Sequence, residues 1–139
     1  MKTTFDIVDL LIPIINVASV KATIDGTVHR EKKPINSELA DITIGSLPIS
    51  GDHADDVDLQ SSTAIINLFR KNHETTGQPD ITSLRSTADA VKAVLLAYAP
   101  TDGSYTVFTI DNMSRPMEYP PQPMMSFVSF RVRYWAQII

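Results

Sequence analysis

The chain has 139 residues, 43% hydrophobic and 20% charged, the balance of one globular domain with its own core rather than a disordered or membrane protein. Cysteine is absent, which removes disulfides, thiol nucleophiles and Cys-ligated zinc together. A formal charge of −4 disfavours a nucleic-acid binder, because affinity for phosphate backbones rests on lysine and arginine.

Phe5, Val8, Leu11, Ile12 and Ile15 recur at helical spacing, predicting a first helix with Thr3 or Thr4 as N-cap and Asp6 near the positive end of the dipole. Pro13 lacks an amide hydrogen and clashes with the preceding turn, so a kink near Leu10 or a change to extended chain is expected. Asp6, Asp9 and Pro13 interrupt the apolar stretch from Phe5 to Val20, which therefore suits neither a signal-peptide core nor a bilayer span. Val20 to Arg30 alternates in part around Asp25-Gly26. That pattern predicts a bulged strand, or two short strands about a turn.

Glu31 to Ala40 is polar, holds Pro34 and lacks periodicity, as a loop does. Asp41 to Leu47 alternates through Ile42, Ile44 and Leu47, and Val57 to Lys71 is again strand-like. Between them Ser50 to Asp56 collects turn formers and acids. Asn72 to Pro79 forms a second polar connection. Asp80 is placed to cap the clearest helix, whose stripe runs Ile81, Leu84, Ala88, Val91, Leu95 and Tyr98 before Pro100 stops it. Tyr105 to Ile110 reads as a strand, and Asp111 to Pro123, with four prolines, as irregular chain.

Met124 to Ile139 alternates throughout, with Ser126, Val128, Phe130, Val132 and Tyr134 on one face and Phe127, Ser129, Arg131, Arg133 and Trp135 on the other. This predicts a long half-buried antiparallel strand, with the end of the chain tied into a sheet and the register pinned by the apolar face. The arginine-bearing face is expected to be covered by something polar, such as a helix end or another subunit. The order of elements predicts an α+β domain over residues 1–139, a mainly antiparallel sheet with two helices on one face and long protruding loops.

Candidate chemistry is sparse. Asp52, His53, Asp55, Asp56 and Asp58 form the one dense group of ligand types, but they lack the spacing, glycine and final glutamate of an EF-hand loop and read as a solvated acidic loop. His29, His53 and His73 form no metal-ligand pair and read as surface histidines. No serine sits in a nucleophile-elbow motif, and the glycines are too isolated for a phosphate loop. No catalytic, metal-ligating or cofactor-binding residue is assigned, and no enzyme activity or cofactor is expected. Arg115, Arg131 and Arg133 with Tyr119, Phe127 and Trp135 combine residue types enriched at protein–protein interfaces. Glu31–Ala40, Ser50–Asp56 and Asp111–Pro123 are long for connections in a domain of this size and suit arms that reach a neighbour.

Six segments taken together carry a resemblance: the N-terminal helix; Ile24-Asp25-Gly26-Thr27-Val28; Asp41-Ile42-Thr43-Ile44-Gly45-Ser46-Leu47; Gln60 to Lys71; the amphipathic helix; and the closing Arg131-Val132-Arg133-Tyr134-Trp135. In layout the chain resembles the small tail-completion or tail-terminator proteins of long-tailed bacteriophages. The likeness spans nearly the whole chain and rests on no short motif, so it transfers no residue roles.

It implies a structural protein without an active site. Such a protein closes a six-fold ring at the head-proximal end of the tail tube, stops its growth and meets the neck. The implied partners are copies of itself in a hexameric ring, the tail tube protein and neck or head-connector proteins, with no specific nucleic acid and no membrane. The implied location is the host cytoplasm during assembly and then the virion tail. The proline-rich Asp111–Pro123 and the length of Glu31–Ala40 do not match the family and leave a head-completion role in the neck open. A non-catalytic adaptor module is the further alternative.

Rings are built from heterologous interfaces, in which each subunit presents two unlike surfaces. Charge complementarity pairs Arg131 and Arg133 with the acidic Asp52, Asp55, Asp56 and Asp58 of a neighbour. If those acids line a lumen instead, their repulsion of DNA eases its passage.

Overall fold

Along the chain run α1 (Thr4–Ile15), α2 (Ala18–Lys21), β1 (Val28–Arg30), β2 (Ile42–Ser46), β3 (Leu59–Lys71), α3 (Ile81–Leu96), β4 (Tyr105–Ile110), β5 (Met117–Glu118) and β6 (Met125–Gln137). The computed structural model describes residues 4–46, 59–99 and 105–137. These elements form the expected α+β fold, a mostly antiparallel sheet in the order β1-β2-β3-β6-β4, with β5 also paired to β6.

The sheet is organised by its two longest strands. β3 and β6 pair antiparallel from Leu59↔Gln137 to Lys71↔Met125 without a break. Alternation on both strands puts Leu68 opposite Val128, Ile66 opposite Phe130 and Ala64 opposite Val132. β2 extends the first two rows with Ile42 and Ile44, and β4 extends the third with Ile110. A slip of one residue would turn every one of these side chains to the other face. Of the side chains in these three rows all but Ile110 are buried.

The helices cover that face. Ile7, Val8, Leu11 and Ile15 of α1, Val20 of α2, and Leu84, Ala88, Val91 and Leu95 of α3 complete one apolar cluster. Asp80 caps α3 as predicted, its side chain accepting a hydrogen bond from the Ser83 amide at 3.2 Å. Ile81, counted in the predicted stripe, is exposed at the first turn.

Three local expectations are corrected. α1 does not give way to extended chain near Leu10 but runs through Pro13 to Ile15; the proline removes only the bond to the Asp9 carbonyl, while the Asn16 amide still donates to Ile12 O at 2.8 Å. Burial of Leu11 and Ile15 on either side of it holds the last turn in place. The segment from Val20 to Arg30 is not a bulged strand or hairpin: it begins in α2, a third and very short helix, turns, and yields only β1. Met117 and Glu118, inside the segment expected to be irregular, pair with Phe127 and Ser126.

β1 pairs with β2 in parallel, Val28 opposite Ile42. A parallel neighbour cannot be reached by a tight turn, so residues 31–41 must travel back along the sheet. They do so over the face that the helices leave bare. The return is tight at Gly26, where an added Cβ would lie 2.3 Å from Asp41 Oδ1 and 2.5 Å from Ala40 O, so only glycine fits.

Candidate functional site

Away from the helices, the sheet presents Thr43 and Gly45 of β2, Thr63, Ile65, Asn67 and Phe69 of β3, and Phe127, Ser129, Arg131 and Arg133 of β6. This outward face divides into two halves.

The half around Phe69 is capped by the chain's own loops. Phe69, Tyr119 and Phe127 pack edge-on and tilted, with ring centroids 5.2 Å apart for Phe69–Tyr119, 5.4 Å for Phe69–Phe127 and 6.2 Å for Tyr119–Phe127. The Lys33 ammonium lies 5.8 Å from the Phe69 centroid and 5.4 Å from that of Tyr119, within range of a cation–π attraction. It donates to Pro34 O at 3.2 Å, Ser37 O at 2.8 Å and Gln122 Oε1. Gln122 Nε2 donates in turn to Ser37 O at 3.0 Å. Three N–H groups meet three acceptors, so the charge is fully used in tying residues 33–37 to Gln122. Burial to 8% exposure pulls the Lys33 amine below the ordinary lysine value, against the opposing pull of the Asp41 carboxylate.

Asp41 anchors the other end of this loop. Its carboxylate is 2% exposed and accepts from Ser37 Oγ at 2.7 Å and from the Thr27 amide at 3.0 Å. His29 Nε2 lies 3.2 Å from Asp41 Oδ1 and 2.7 Å from Thr27 Oγ1. The expectation of a plain surface histidine thus misses what His29 does: it closes a network that pins the return segment. Histidine, aspartate and serine are neighbours here, but Ser37 donates to the aspartate rather than to the imidazole, the reverse of an activated nucleophile. Every polar group in the cluster is engaged in holding the backbone.

Among the described residues the half around Arg131 has no such cap. Ile65 stands opposite Arg131, and Thr63 and Thr109 flank Arg133 on either side. Arg131 is exposed and has no ion-pair partner among the described residues. Arg133 reaches Asp111 Oδ2 only at 3.8 Å. Among the described residues no helix crosses either arginine.

Of the residues expected to bind partners, Arg131 and Arg133 are adjacent on the bare half. Tyr119 belongs to the capped half instead, and Arg115 is exposed on the loop between β4 and β5. Trp135 occupies a β6 position opposite Ser61 and Val107, but its side chain lies outside the described residues, as do Asp52, Asp55, Asp56 and Asp58. Lys33, Ile35, Asp41, Phe69 and Gln122, which build the cap, were not singled out by the sequence. Their one legible signal was the unusual length of the Glu31–Ala40 loop, which carries the first two and leads into Asp41.

At the Lys71 end of β3 lies a small charged cleft. Arg70 stands 3.6 Å from Asp80, His73 3.8 Å from Asp80, and Lys71 3.3 Å from Glu74 and 3.5 Å from Glu38. Burial pushes the Asp80 carboxyl up, but the Ser83 hydrogen bonds and the charges of His73 and Arg70 outweigh it and hold the group below its ordinary value. Here charges of both signs compensate each other. Among the described residues no three His, Asp or Glu side chains gather to share a metal ion, and no helix is long and apolar enough to cross a membrane. Comparison with protein-family models and with curated proteins finds no match for this chain.

Proposed function

We propose that the chain is a structural assembly protein that closes a ring on copies of itself, hexameric in the manner of phage tail terminators, and joins a tail tube to the neck. The observation that carries this reading is the bare half of the outward face. Among the described residues this strand surface presents Arg131 with no ion-pair partner, Arg133 held only loosely by Asp111, and the apolar Ile65 of β3 opposite Arg131. Arginine beside apolar surface is the composition of a protein contact. The position on β3 and β6 is also rigid, since both strands are locked from behind by the core.

The acidic residues Asp52, Asp55, Asp56 and Asp58 of a neighbour supply the opposite charge. A contact between unlike patches is heterologous and closes a ring when the rotation permits. The tail and neck assignment rests on the likeness of layout described above.

Electron microscopy of the purified chain, alone and mixed with tail tubes of a long-tailed phage, tests the proposal. Rings are expected on the tube ends. Reversal of both arginines, Arg131→Glu with Arg133→Glu, is expected to abolish rings and leave a folded monomer. Absence of rings in every condition, or unchanged rings in the double variant, overturns the reading.

A further inference from the structure

The capped half offers a second surface, and it presents a knob beside a hole. The turn Pro34-Ile35-Asn36-Ser37 is closed by the Ser37 amide donating to Pro34 O at 3.3 Å. Asn36 has φ 61°, the left-handed conformation that the third position of a type II turn requires and that asparagine tolerates. Lys33, Ser37, Gln122 and Asp41 brace the turn from beneath through the bonds described above. At its apex Ile35 is 91% exposed, the most exposed large hydrophobic side chain among the described residues. A flexible loop could hide such a side chain. This one is held out in water by a buried lysine and a buried aspartate.

Beside the turn is a groove of about 510 Å³ whose apolar walls are Phe69, Tyr119 and Pro121, with Glu31 and Lys32 on its rim. Ile35 stands on its lip and does not fill it. The buried cation in its floor, Lys33, has spent all three of its donors on the chain itself, so it has none to offer a bound anion.

We propose that this half is a self-complementary docking surface on which two copies of the chain pair about a two-fold axis, Ile35 of each seated in the groove of the other. A two-fold contact brings one patch against the same patch, so knob and hole must lie side by side on a single surface, as they do here. The rim agrees in charge: Glu31 and Lys32 are adjacent and opposite in sign, and a two-fold passing between them sets Glu31 of one copy against Lys32 of the other, twice over. The turn is preorganised, so little conformational freedom is lost on docking. The pair uses neither Arg131 nor Arg133, and stands or falls apart from the ring.

Sedimentation equilibrium of the full chain, and of the Arg131→Glu, Arg133→Glu variant in which rings are not expected, provides the test. A concentration-dependent dimer is expected in both. Ile35→Asp should weaken it by roughly tenfold or more with circular dichroism and melting unchanged. Leu96→Asp, at a 73% exposed position on α3, should leave it intact. Because the chain has no cysteine, Ile35→Cys copies mixed with Pro121→Cys copies and oxidised should give a mixed disulfide dimer that Leu96→Cys copies do not. A chain that stays monomeric at millimolar concentration, or a dimer indifferent to Ile35→Asp, overturns the proposal. So does an Ile35→Asp variant that keeps its dimer and loses only its hold on tail tubes, since the occupant is then another protein.

Discussion

The two halves of the outward face share the same strands and the same alternation, yet among the described residues one is roofed by the chain and the other is not. Phe69 and Phe127 face each other across β3 and β6 four residues along each strand from Ile65 and Arg131, but among the described residues the loop lies above the aromatic pair alone. The difference comes from a connection rather than from the strands. β1 joins β2 in parallel, and the segment that must return to make this possible comes to rest on the aromatic end.

The largest effect on this division is expected from Asp41→Ala. It strips the buried carboxylate from Ser37, Thr27 and His29 together, and loss of about 3 kcal/mol is expected in chemical denaturation, with the cap opening toward the state of the bare half. Lys33→Met keeps the stem over the rings but leaves Pro34 O and Gln122 Oε1 without their donor and Ser37 O with Gln122 Nε2 alone. A loss of about 2 kcal/mol is expected, together with faster amide exchange across residues 33–37 and 119–122 and none across the core strands.

Asp80→Ala, at the capped end of β3, should cost about 1 kcal/mol at neutral pH through the lost cap. Because the Asp80 carboxyl is held below its ordinary value, it stabilises the fold at any pH above that value. The contribution disappears as pH falls through the lowered one. The difference in stability between wild type and variant should therefore shrink on acidification, which denaturation across the acid range would measure. The smallest effect on stability belongs to the bare half. Arg131→Glu with Arg133→Glu should shift it by no more than about 0.5 kcal/mol, although the same change is expected to remove ring assembly. A large loss of stability there would mean that the bare half also holds the monomer together.

Alternation along β6 and β3, and the stripe of α3 with its Asp80 cap, could be read directly, because each is a pattern among near neighbours in sequence. The two arginines were found on the outward side for the same reason. The helix through Pro13 and the conversion of Val20–Arg30 into a short helix, a turn and one parallel strand could not be read, because the local signals there were outweighed by burial against distant residues. The cap was hidden more completely: Lys33 and Gln122, which meet in it, are 89 positions apart.

By itself, the sequence determined the class of fold, the existence of the two long strands and which side of the last one is apolar, since side-chain period and composition act within a few residues; their pairing came from the structure. Only the tertiary structure decided that the Glu31–Asp41 segment crosses the sheet, that Asp41 and Lys33 spend their charges on holding it there, and that Ile35 is left standing in water. These follow from a strand choosing a parallel neighbour, a choice made by the packing of the whole sheet rather than by any stretch of it.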